Sequence, residues 1–71
     1  MPLTMVQIGK RVRLVGIDAG RRLRARLADM GLIPGVEIDI ISNSSRGPFI
    51  VAVKGSRVVL GHGMAMKILV E

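Results

Sequence analysis

Phe49-Ile50-Val51-Ala52-Val53-Lys54, then Gly55-Ser56, then Arg57-Val58-Val59-Leu60 is the stretch whose reading decides the fold. Both arms are rich in β-branched side chains, which suit a pleated strand better than a helix. Lys54-Gly55-Ser56-Arg57 reads as a two-residue hairpin with Gly55 leading the loop, as a type II′ turn requires. An antiparallel pair is therefore expected here, and the rest of the chain is read outward from it.

Toward the N-terminus, Asn43-Ser44-Ser45-Arg46-Gly47-Pro48 has the composition of a loop. Before it, Val36, Ile38 and Ile40 alternate with Glu37 and Asp39, the pattern of a half-buried strand. Ile33-Pro34-Gly35-Val36 predicts a type II turn, with Pro34 presetting φ and Gly35 accepting a positive φ. Leu23, Leu27 and Met30 recur at i, i+4 and i+7, one face of a helix. Arg21, Arg22, Ala25 and Asp29 fall on the opposite face, with Arg24 and Arg26 on the flanks. Asp18 is the expected N-cap. Arg26 and Asp29 are spaced to meet across one turn. Gly31 is placed to end the helix in a left-handed conformation, with Leu32 folding back on the last turn. A first strand is expected over Arg11 to Ile17, with Val12, Leu14 and Gly16 facing one way and Arg11, Arg13 and Val15 the other. Thr4 is positioned to cap a short turn ending at Gly9. Toward the C-terminus, Gly61-His62-Gly63 breaks the pattern. Met64-Ala65-Met66 suggests one helical turn, and Lys67 to Val70 a last strand.

Composition agrees with this outline. The 71 residues allow one small domain, 1–71, and no internal repeat or linker is apparent. Nine Gly and three Pro imply frequent turns, and mean hydropathy is +0.48. With one Phe and no Trp or Tyr the core must be aliphatic. No Cys is present, which removes disulfides and thiolate metal cages from consideration. The start shows no basic region followed by a long apolar run, and the longest apolar run, Phe49 to Val53, is far too short to cross a bilayer. A cytoplasmic protein is expected. The fold class expected is mostly β: a small SH3-like barrel of about five strands, with one α-helix inserted after the first strand and a short helical turn before the last. Closure into a barrel should remove the exposed strand edges.

The sequence also resembles a known family. Arg26-Leu27-Ala28-Asp29-Met30-Gly31-Leu32-Ile33-Pro34-Gly35-Val36 is similar to the central segment of the FeoA family. Gly47 to Val51, Gly55 to Gly61 and Ala65 to Val70 resemble that family's C-terminal half, in the same order. The resemblance implies an SH3-like barrel and a cytoplasmic accessory role in bacterial ferrous iron uptake. Its implied partner is FeoB, a membrane permease with a cytosolic GTP-binding domain. The same barrel follows a DNA-binding helix-turn-helix in some iron-dependent repressors, for which this sequence offers no counterpart. The family supplies no catalytic motif, so no catalytic residue is carried over.

The net charge of +6 is local. Residues 10–26 hold Lys10, Arg11, Arg13, Arg21, Arg22, Arg24 and Arg26 against Asp18 alone, and the residues after them are neutral overall. Arg21, Arg22, Arg24 and Arg26 are accordingly the candidate partner-binding residues, for an acidic face of FeoB or the anionic inner leaflet beside it. An ordinary solvated helix face would carry arginines too, since they are good helix formers. Nucleic acid is the rival partner for the same patch. Single-strand readers stack bases on aromatic rings, however, and Phe49 is the one available. The aromatic shortage also rules out the grooves with which signalling SH3 domains hold Pro-rich peptides. Any peptide recognition must use aliphatic pockets or an open strand edge, and such an edge would permit self-association.

The other candidates are weaker. His62 is the single imidazole, flanked by glycines, and reads as a solvated loop residue rather than a catalytic base. Glu37 and Asp39 share a strand face that His62 would have to approach to hold ferrous iron; two solvent-side charges are the simpler reading. An iron-binding chaperone therefore ranks third. No catalytic, cofactor or metal residues are expected, and no Walker-type phosphate loop is present. Met64 and Met66 are secondary partner-surface candidates, although methionine also fills irregular cores. Gly31, Pro34, Gly35 and Gly55 are expected to be turn residues.

Overall fold

Alternation of apolar and charged residues sets the faces of the chain over residues 11–14 and 37–40, whereas Phe49–Val53 and Ile68–Val70 are apolar throughout. A computed structural model describes residues 1–44 and 46–71. A 3-10 turn, Leu3–Met5, leads into β1 (Arg11–Ile17), α1 (Arg21–Asp29), β2 (Glu37–Asn43), β3 (Phe49–Val53), β4 (Ser56–Leu60), α2 (His62–Ala65) and β5 (Ile68–Val70). The strands form one antiparallel sheet in the order β4-β3-β2-β1-β5. β1 serves two neighbours. Arg11 to Arg13 pair with β2, and Leu14 to Ile17 pair with β5 across a bulge. This bend wraps the sheet around a core of Leu3, Leu14, Leu27, Leu32, Ile38, Ile40, Phe49, Val51, Leu60, Ile68 and Val70, all essentially inaccessible to solvent.

The helix exit follows the sequence reading closely. Gly31 takes φ +89, its N–H donates to the Ala28 carbonyl at 2.9 Å, and the Leu32 N–H donates to the Leu27 carbonyl at 2.9 Å. These two bonds define a Schellman motif, and Leu32 is driven into the core behind it. Gly31→Ala would keep its Cβ clear of neighbours, the nearest being Val53 Cγ1 at 3.6 Å. The left-handed backbone is what penalises it, so a loss of about 1–2 kcal/mol in urea unfolding is expected. An unchanged midpoint would show that the helix end relaxes. Gly35 at φ +94 and the Val36 N–H to Ile33 carbonyl bond of 3.2 Å complete the expected Pro34-Gly35 turn.

Several expectations are corrected. The hairpin loop is Lys54-Gly55, with φ +50 and +80, and Val53 pairs with Ser56. Two successive positive φ values make it a type I′ turn, not type II′. The two registers differ by two residues and bury the same side chains, so alternation could not separate them; the observed one sets Leu60 opposite Phe49. Asp18 does not cap α1. Its N–H bonds the Lys67 carbonyl at 2.7 Å, and the helix starts after Gly20 without a side-chain cap. Thr4 lies inside the 3-10 turn rather than capping it. β2 runs on through a bulge to Asn43, whose Nδ2 donates to the Val6 carbonyl at 2.6 Å, so Asn43 belongs to the strand and not the loop. Ser45 of that expected loop lies outside the described residues. Closure removes only one edge. The Val70 N–H donates to the Met1 carbonyl at 2.7 Å and Pro2 bridges Leu69, which covers β5. β4 pairs with β3 alone among the described residues.

Candidate functional site

The basic helix is built against its own electrostatics. Leu27 is fully buried and Leu23 half-buried, so these two turn one side of α1 to the core. Arg21, Arg22, Arg24 and Arg26 fan over the solvent half and are all exposed. The first turn contains no acidic residue and no side-chain cap. Arginines there sit on the positive end of the helix dipole, where each cation is disfavoured by about 0.3–1 kcal/mol. Only Arg26, in the last turn, is placed favourably. Among the described residues none of the four arginines forms an ion pair. The expected Arg26–Asp29 contact is thus absent. Its gain would be small, because the basic residue precedes the acidic one and both side chains are solvated.

The carboxylates of β2 are engaged elsewhere. Arg11 and Asp39 face each other across β1 and β2. Arg11 Nε donates to Asp39 Oδ1 at 2.7 Å and Nη2 to Oδ2 at 3.3 Å, while Nη1 lies 3.7 Å from Glu37 Oε2. The hydrogen bond from Arg11 holds the Asp39 carboxyl below its usual range, desolvation opposes it, and the guanidinium charge adds to the lowering. Because the folded-state pKa is the lower one, this stabilisation is present above the ordinary carboxylate range and disappears as pH falls through the folded value. Asp39→Asn is therefore expected to lower the thermal midpoint slightly at neutral pH, and the gap to the parent should close in strong acid. A gap that stays constant across the titration would contradict this sign. Both side chains are substantially exposed, so the effect is modest.

His62 is not the solvated loop residue that its flanking glycines suggest. It opens α2, is half-buried, and stands edge-on to Phe49 with ring centroids 5.9 Å apart. Its Nε2 lies 2.7 Å from the Ser44 carbonyl oxygen, a latch between α2 and the loop after β2. Among the described residues no group of three His, Asp or Glu side chains comes together as a metal site. Met64 packs against the core, whereas Met66 is exposed. Sequence reading did not anticipate Met1, Met5 and Ile8 as exposed apolar residues, nor that β4 would carry the open strand edge. Among the described residues no helix is long and apolar enough to cross a membrane.

The fold and this charge layout can be set beside known proteins. The family model described as the FeoA domain matches residues 1–71. The chain belongs to the FeoA family. A candidate Fe(2+) transport protein A of Methanocaldococcus jannaschii is 41% identical over 70 residues, covering 99% of this chain and 84% of the relative. The crystal structure of an iron uptake regulatory protein, FeoA, superposes with a TM-score of 0.92 at 34% identity, covering 99% of this chain and 93% of the other. The zinc-bound FeoA of Stenotrophomonas maltophilia, a prokaryotic SH3-domain protein, superposes with a TM-score of 0.85 over 100% of this chain and 89% of its own. At 21% identity that last likeness shows the fold alone, and the fold it shows is the SH3-like barrel. The family is one of ferrous iron transport.

Proposed function

We propose that this FeoA-family chain is a non-enzymatic accessory protein of ferrous iron uptake, with residues 1–71 acting as one unit at the cytosolic side of the membrane. It docks α1 on an acidic face of the cytosolic domain of a FeoB-type permease, near the anionic inner leaflet. The observation that carries this reading is the set of four exposed arginines, unpaired among the described residues, three of which (Arg21, Arg22 and Arg24) are held where the helix dipole disfavours them. A helix selected for stability alone would place acidic residues in that first turn. The rival reading, nucleic-acid binding, has less support. Phe49 is fully buried, so the one aromatic of the sequence offers no stacking platform.

The test replaces Arg21, Arg22, Arg24 and Arg26 with Gln and measures association with the FeoB cytosolic domain at two salt concentrations. Association is expected to slow by about tenfold at low salt, with its salt dependence flattened. Thermal stability should hold or rise, since unfavourable dipole contacts are removed. Unchanged affinity with unchanged salt dependence would sink the proposal. A parallel anisotropy titration with single-stranded oligonucleotides at physiological salt would promote nucleic acid if it found tight, length-dependent binding.

A further inference from the structure

A two-residue hairpin fixes which backbone groups face outward. Val53 and Ser56 flank the Lys54-Gly55 loop and must exchange both hydrogen bonds, so Val58 and Leu60 do likewise with Val51 and Phe49. The N–H and C=O groups of Arg57 and Val59 then point away from β3. None of these four groups finds a backbone partner among the described residues. β4 has only part of the usual protection of an edge strand, the charges of Arg57 and the adjoining Lys54. It has no Pro, no inward-pointing charge and no bulge, with five consecutive residue pairs to β3. The β1–β5 and β2–β3 ladders are bulged, and the outer edge of β5 is covered by Met1 and Pro2. Val59 is 63% exposed beside the free groups.

Charge selects the occupant. The hairpin from Phe49 to Leu60 carries Lys54 and Arg57, both exposed, and no acidic side chain. Among the described residues neither cation forms an ion pair. A second copy of this chain would bring a further +6 of charge and the same two cations to the edge. We propose that the free edge of β4 is a strand-addition site for an extended, acidic segment of a partner protein. An antiparallel segment would make its hydrogen bonds to Arg57 and Val59. It would set an acidic side chain beside Arg57 and an apolar one beside Val59, two positions earlier in its own sequence. This surface is separate from the arginines of α1, so the two can be tested independently.

The experiment titrates the full-length ¹⁵N-labelled chain with the capped peptide Thr-Val-Thr-Glu-Thr-Glu at millimolar concentration and follows amide hydrogen exchange. Exchange at Arg57 and Val59 is expected to slow by about tenfold, while Val58, already bonded to β3, is unaffected. The same peptide with Lys for Glu, or N-methylated at its Val and first Glu, should give no protection. Val59→Pro removes only an outward-facing N–H and is expected to fold and lose the response. Should that variant not fold, Arg57→Glu provides the second reading, by exchanging the preference for the Glu peptide with one for the Lys peptide. Absence of protection at millimolar peptide, or equal protection by the Lys peptide, overturns the proposal. A concentration-dependent dimer that protects Arg57 and Val59 without peptide also overturns it, and makes a second copy the occupant.

Discussion

Phe49→Ala is expected to cost about 3–5 kcal/mol, the largest effect of any single truncation in this chain. Phe49 is fully buried at the start of β3, opposite Leu60, with the His62 ring edge-on to it. It is also the one aromatic side chain in the sequence, so no second ring can move into the space. A domain of 71 residues has a total stability of about 4–10 kcal/mol at ordinary per-residue values. The variant would therefore be marginally folded. Each kcal/mol should lower the thermal midpoint by about 4–8 °C. Urea unfolding followed by circular dichroism is the direct measurement, and Phe49→Leu is the control, expected to cost less than the alanine variant because it removes fewer buried atoms. A loss below about 1 kcal/mol for the alanine variant would mean that the barrel collapses into the cavity.

Leu27→Ala ranks next, at about 2–5 kcal/mol. Every other residue of α1 is exposed except half-buried Leu23, so Leu27 is the helix's single fully buried side chain. A nine-residue helix is too short to persist without such packing. The expected signature differs from that of Phe49→Ala. Amide protection in α1 should fall to the level of local opening while the β2–β3–β4 ladder keeps more of its protection. Uniform loss across helix and sheet would show that α1 and the barrel unfold as one unit. A change under about 1 kcal/mol would show that Leu32 and the Schellman bonds suffice to hold the helix.

The segments that were legible are those governed by neighbours in sequence. β1 spans Arg11–Ile17 as alternation predicts, and the Gly31 helix exit and the Pro34-Gly35 turn appear as expected. Each rests on local sterics: a residue that tolerates positive φ, a proline whose ring locks φ at a negative value, a period of two or 3.6. The candidate arginines were legible for the same reason, because helical spacing alone carries them to the solvent side. The start of α1 was not. Asp18 is a good cap by type, but the β1–β5 ladder claims its backbone before a helix can begin there. His62 looked solvated because nothing in the sequence signals that Ser44 and Phe49 lie beside it.

By itself, then, the sequence determined the kind and order of the elements, the aliphatic core and the concentration of charge in one early segment. It also excluded thiolate chemistry and aromatic peptide grooves through what it does not contain. Tertiary structure alone decided the hairpin register, the pairing of Arg11 with Asp39 and the latch at His62. It alone decided which strand edge is covered and which is free. The division has a physical cause. Local conformation depends on side-chain type and spacing over a few residues. Pairing and edge exposure depend on which distant backbones meet, and registers that differ by two residues bury the same side chains.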